Sequence, residues 1–89
     1  MVDAAAMRRR QAAEAVLAYL ARHPRVVDTE QGIAQWWLPA VGVDVPRSDL
    51  HDALEELVQS HQLERLVLPD GGVLYRAPAA QAAPPADGE

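Results

Sequence analysis

The stretch VPRSDLHDALEELVQSHQLERLVLPDGGVLYR, Val45 to Arg76, decides how this chain folds. Its first half is amphipathic at helical spacing: Leu50, Ala53, Leu54, Leu57 and Val58 recur at i, i+3, i+4, i+7 and i+8. Ser48 is the expected N-cap, and Asp49 sits where a carboxylate favours the first turn. The helix is expected to end near His61 or Gln62. Its second half changes period. Leu63 to Leu68 is apolar and β-tolerant, Pro69-Asp70-Gly71-Gly72 is turn sequence, and Val73 to Arg76 returns. Asp70-Gly71 supplies residues that tolerate positive φ in such a turn.

Working back from that stretch, Ala40 to Arg47 is a loose connection in which Val41, Val43 and Val45 alternate and suggest a brief extended segment. Before it, a helix is expected over about Thr29 to Leu38, capped by Asp28 or Thr29 and stopped by Pro39; Asp28 with Gln31 resembles a capping box. Ile33, Trp36 and Trp37 supply its apolar surface. A longer helix is expected from Asp3, as N-cap, to Arg22. It carries Ala13, Val16, Leu17 and Leu20 on one stripe with Tyr19 beside it, and His23-Pro24 ends it. Arg25-Val26-Val27 reads as a short extended piece. After Arg76 the chain is rich in Ala and Pro with no large apolar side chain, so residues 1–76 are expected to form one domain and 77–89 a disordered tail.

Eighty-nine residues allow one domain, and the hydrophobic fraction of 49% overstates the core because much of it is alanine and phenylalanine is absent. Without cysteine there is neither a disulfide framework nor a thiolate metal site. No apolar run approaches the roughly 20 residues that span a bilayer, so no membrane role is expected. Arg8-Arg9-Arg10 before an apolar segment has the outline of a signal peptide, but Glu14 and Arg22 fit a folded amphipathic helix better. A cytoplasmic location is the expectation.

The succession of helix, extended piece, helix, helix and hairpin resembles the winged-helix arrangement. Residues 45–76 carry the likeness: a capped helix of the form x-x-Ala-Leu-x-x-Leu followed by a hairpin closed by Asp-Gly is similar to the third helix and wing of bacterial winged-helix domains. The likeness covers roughly residues 5–76 and implies an α+β fold with three helices and a C-terminal β-hairpin wing. It also implies that the third helix is the one such domains lay in the major groove of DNA. Two departures stand out: the connection into that helix exceeds the tight 3–4-residue turn, and Gln62 stands where such domains often have glycine.

The net charge is −5, with every cation an arginine. On helical spacing the outer face of the third helix presents Asp49, Asp52, Glu55, Glu56 and Gln59. Between Ser48 and Gln62 there are four carboxylates and no arginine. Each carboxylate facing a phosphate at ~4 Å costs about 1 kcal/mol even in water, and no counterion release offsets it. The expected function is therefore a non-catalytic module that binds another protein, as an adaptor, an accessory subunit or a homodimer. The alternative is a DNA-binding regulator that uses the first helix and the wing through Arg8, Arg9, Arg10, Arg65 and Arg76. Arg22 and Arg25 bring the first-helix region to a net +3, from five arginines against Asp3 and Glu14. Arg65 and Arg76 are expected near each other across the hairpin, and Arg10 can pair with Glu14 at i, i+4.

Trp36 and Trp37 point about 100° apart on a helix, so one is expected in the core and the other exposed as an interface anchor. Helical periodicity does not say which. The remaining chemistry is thin. His23, His51 and His61 share no face at metal-ligand spacing, although His51 and Glu55 stand at i, i+4. Ser48 and Ser60 lack cues for a nucleophile, and Gly71-Gly72 belongs to a turn rather than a phosphate loop. No catalytic residue, metal or cofactor is expected.

Overall fold

A computed structural model describes residues 3–78. Helix α1 is Ala4–Arg22, with the Asp3 carboxylate accepting from the Ala5 amide at 3.1 Å. Strand β1 is Val27–Asp28. Helix α2 covers 30–40, starting as Glu30–Gly32, widening into a π-turn at Ile33–Trp37 and closing as Leu38–Ala40. Helix α3 is Arg47–Gln59, and strands β2, Glu64–Val67, and β3, Val73–Arg76, follow. The fold is α+β: three helices against a three-stranded antiparallel sheet in the order β1-β3-β2. Of the extended piece expected at Arg25-Val26-Val27 only Val27 lies in a strand, which continues into Asp28. This strand pairs Val27 with Arg76 and Asp28 with Tyr75, turning the expected hairpin into a sheet.

The core lies where α1 and α3 cross and the sheet closes the open side. Ala12, Val16, Ile33, Leu50, Ala53 and Leu54 have no exposed surface, and Trp37, Leu63 and Tyr75 complete the cluster. Ala12 and Ala15 are the small residues that α1 places in this core. Ala77 is also buried, so the folded body runs past Arg76; residues 79–89 of the expected tail lie outside the described residues. Val41, Val43 and Val45 all pack against the core without joining any ladder.

Three local expectations need correction. Ser48 is not the cap of α3: the cap lies two residues earlier, at Pro46, whose carbonyl accepts from the amides of Asp49 and Leu50. Pro46 supplies no side-chain bond, but its fixed φ leads into the first turn. Pro39 does not stop α2. Leu38 donates to the Ile33 carbonyl, five residues back, and this wide turn lies where the proline ring would otherwise meet the Gln35 carbonyl. The stop comes at Gly42, whose φ of 74° forms a Schellman motif: Val43 donates to the Leu38 carbonyl and Gly42 to that of Pro39. Helix α3 ends the same way, before His61 rather than at it. Gln62 donates to the Leu57 carbonyl, and His61 takes the left-handed position at φ 62°. The residue that would favour glycine is therefore His61 and not Gln62.

Candidate interaction surfaces

Helix α3 sorts its polar residues into three lines. On the flank facing α1, Asp49 and Glu56 stand two turns apart and meet consecutive arginines: Arg8 Nε donates to Asp49 Oδ2 at 2.7 Å and Arg9 Nε to Glu56 Oε2 at 3.2 Å. On the opposite flank, His51 and Glu55 face α2 and the hairpin. His51 Nδ1 lies 2.9 Å from Glu30 Oε1, and Arg65 donates to Glu55. Ser48, Asp52 and Gln59 are exposed and form the outermost line.

This geometry corrects the reading of a four-carboxylate outer face. Asp49 is 6% exposed and belongs to the α1–α3 seam. Glu55 and Glu56 are neutralised by Arg65 and Arg9. Asp52 alone, of those four acids, joins no ion pair among the described residues. The arginines once available to nucleic acid are consumed by the same contacts. Arg8, Arg9 and Arg65 hold α3, and Arg76 Nε donates to Glu64 Oε1 at 2.8 Å. Arg10 is exposed and joins no ion pair among the described residues, and the expected Arg10–Glu14 pair does not form. Arg65 and Arg76 stand on opposite faces of the hairpin, because their ladder partners are Tyr75 and Glu64 and successive strand residues alternate.

Between the start of α2, α3 and the hairpin lies an open groove of about 400 Å³, with Glu30, His51 and Glu55 on one wall and Arg65, Val67, Val73 and Tyr75 on the other. Glu30 is its hub, holding His51 and, at 3.1 Å, Arg47 Nε. The hydrogen bond to Glu30 raises the His51 pKa above its ordinary value, and the Glu30 charge adds to this. Burial raises that of the Tyr75 phenol. Arg65, set opposite Tyr75 and beside Glu55, is held still more firmly protonated. In the sequence the i, i+4 spacing of His51 and Glu55 only falls short of a metal site, and helical spacing places Glu55 on the outer acidic face. Nothing in the sequence points to Glu30, which arrives from another helix. Among the described residues, no group of three or more His, Cys, Asp or Glu is placed to hold a metal ion.

The tryptophans separate as expected of neighbours on a helix. Trp37 is buried, stacks on Tyr19 with centroids 4.9 Å apart and planes at 12°, and donates from Nε1 to Asp28 Oδ2 at 3.3 Å. Trp36 is 62% exposed. The wide turn makes the choice. Buried residues on α2 come in the pairs Gly32-Ile33 and Trp37-Leu38, five positions apart, a spacing of the π-turn and not of the α-helix. Asp28 also fixes the start of α2. Its carboxylate accepts from the Thr29 amide, and it fills the space where a side chain on Gly32 would sit. Thr29 is the cap, accepting from the Gly32 amide at 3.0 Å, and Gln31 is exposed.

No helix among the described residues is long and apolar enough to cross a membrane. Comparison with protein-family models, curated proteins and solved structures finds no match.

Proposed function

We propose that this chain is a non-catalytic module of winged-helix type that binds a protein partner, and that Trp36 is the anchor of the contact. The observation that carries this reading is the contrast between two adjacent residues. Trp37 is almost wholly inside, and Trp36 is 62% exposed on the same turn. A large ring left in water on so small a domain is the kind of side chain that concentrates binding energy in protein interfaces. The element order, with a short strand β1 joining the hairpin, supports the winged-helix comparison.

Electrostatics now favour this reading in a different way. The outer line of α3 is close to neutral, so repulsion from phosphate is weaker than four free carboxylates would impose. Four of the five arginines that a wing-led or α1-led DNA contact would use are already held by carboxylates. Releasing them to phosphates would break contacts that position α3 and the hairpin. The proposed module is cytoplasmic and needs no cofactor.

Two measurements test it. Duplex DNA of random sequence, titrated by fluorescence anisotropy, is expected to show no micromolar binding at about 50 mM salt. Binding that tight, falling steeply as salt rises, would establish the nucleic-acid reading instead. Affinity capture with the wild-type chain and with Trp36→Ala is expected to return a partner with the first and not with the second. A partner retained by Trp36→Ala moves the interface elsewhere.

A further inference from the structure

Strand β2 is an edge of the sheet, and the hydrogen-bond phase of the hairpin says which of its backbone groups are free. Leu68 donates to the Gly72 carbonyl at 2.7 Å. In an antiparallel ladder such pairs alternate, so Leu66–Leu74 and Glu64–Arg76 are the bonded pairs. Arg65 and Val67 therefore point their N–H and C=O groups away from β3, at an edge that no strand covers among the described residues.

Edges of this kind are usually blunted by charge. Here both edge charges have partners within the chain, which weaken their protection of the edge without removing the charges: Glu64 pairs with Arg76 and Arg65 with Glu55. The rest of the strand is apolar. Val67 is 70% exposed. Leu66 faces Leu74 across the ladder, and neither packs against the core.

We propose that β2 pairs antiparallel with β2 of a second copy of this chain, joining the two sheets into one of six strands. This site is separate from Trp36 and does not rest on the function proposed above. The sequence of the strand selects one register. With Leu66 opposite Leu66 of the second copy, Arg65 and Val67 exchange both of their outward hydrogen bonds with Val67 and Arg65 of the other strand. Arg65 then faces Val67, and Glu64 faces Leu68. Sliding one way sets Arg65 against Arg65, a like-charge pair directly opposite. Sliding the other way sets Arg65 against Pro69, which has no N–H to give. In the favoured register Leu74 and Leu66 of both copies line up as one apolar row across the outer face of the joined sheet.

The contact is short, so the dimer is weak, with a Kd on the order of 0.1–1 mM. Sedimentation equilibrium of the full chain reads it, and amide NMR shifts at Arg65 and Val67 move with concentration. Val67→Glu sets a carboxylate against Arg65 of the second copy and tightens association by about threefold to tenfold, and Val67→Lys weakens it by a similar factor. Val67→Pro removes an outward donor without touching the β2–β3 ladder, so far-UV circular dichroism is kept and dimerisation is lost. Trp36→Ser leaves association unchanged. The proposal is overturned by a chain that stays monomeric at about 2 mM. It is equally overturned if Val67→Glu and Val67→Lys act in the same direction, or if Trp36→Ser abolishes the dimer.

Discussion

The corner around Trp37 and the seam along α3 hold the molecule together by opposite means. At the corner, Asp28, Gly32, Tyr19 and Trp37 meet in fixed geometry, each contact requiring one shape at one place. Along the seam, arginines and carboxylates meet mostly in solvent, and one acid, Glu30, is shared by Arg47 and His51. A packed corner fails when a few atoms change. A partly solvated seam loses one pair with little effect, because water and neighbouring charges replace what is removed. The exception on the seam is Asp49, which sits among buried residues and therefore behaves like part of the corner.

The largest expected effect is at Trp37. Trp37→Ala removes a fully packed ring, its stack on Tyr19 and the partner of Asp28, and such truncations cost about 3–5 kcal/mol. Trp36→Ala, one residue earlier and exposed, is expected within about 0.5 kcal/mol of wild type. Urea unfolding of the two variants measures the gap. Equal losses would mean that α2 does not distinguish its two faces.

Gly32→Ala comes next. The new Cβ would lie 1.9 Å from Asp28 Oδ1, so Asp28 must leave its place and give up the Thr29 amide and the Trp37 indole. Ordinarily alanine stabilises a helix relative to glycine by about 1 kcal/mol. Here we expect a loss of about 1–3 kcal/mol, in line with hydrogen bonds to a charged group being broken. In the Asp28→Gly background the bonds are already gone and the clash is absent, so adding Gly32→Ala there is expected to cost nothing further. A Gly32→Ala protein more stable than wild type would show that the Asp28 carboxylate is free to move at little cost.

These residues also mark what was legible in the sequence. The apolar stripe of α3, the Pro69–Gly72 turn and the Asp3 cap follow from local chemistry and stand as read, while of the two caps left open for α2, Asp28 and Thr29, the structure takes Thr29. What escaped is set by partners distant in the chain. Asp49 looks like an outer-face acid on helical spacing. It lies inside because α1 brings Arg8 to that flank of α3, a contact between residues 41 positions apart. The choice between Trp36 and Trp37 escaped for another reason. Ile33 stands three residues before one and four before the other, so an α-period cannot rank them. The π-turn that ranks them is tied to Pro39, which the sequence offers as an end to the helix. Strand β1 was visible only as an extended piece, because two residues acquire a ladder only when β3 is beside them.

On the seam itself, Arg8 and Arg9 give the sharpest test of burial against exposure. Both are first-helix arginines, both donate from Nε, and both reach a carboxylate of α3. The Asp49 side chain is 9% exposed and that of Glu56 is 60% exposed. Arg8→Ala strands a desolvated carboxylate and is expected to cost about 1–2 kcal/mol. Arg9→Ala leaves Glu56 to water and is expected to cost under about 0.5 kcal/mol. Chemical denaturation at two salt concentrations checks both the size and the cause, since the Arg9 effect shrinks further with salt and the Arg8 effect persists.

The smallest effect belongs to His51, and its sign is fixed. The Glu30 hydrogen bond and charge raise the folded-state pKa above the ordinary 6.5, so the protonated ring favours the folded chain. That contribution is full below the unfolded value and disappears as pH rises through the folded one. With the His51 side chain 53% exposed, solvent screening holds it under about 0.5 kcal/mol. Against His51→Gln, the wild type is expected to hold a small excess in urea midpoint near pH 5.5 that is gone by about pH 8.5. An excess that grows with pH would mean that the ring is favoured neutral, and hence that Glu30 is not its principal neighbour. Glu30 keeps Arg47 at either pH, so losing the imidazolium leaves the carboxylate paired and the start of α3 in place. The seam therefore gives way gradually with pH, and a comparable change at the Trp37 corner has no second partner to absorb it.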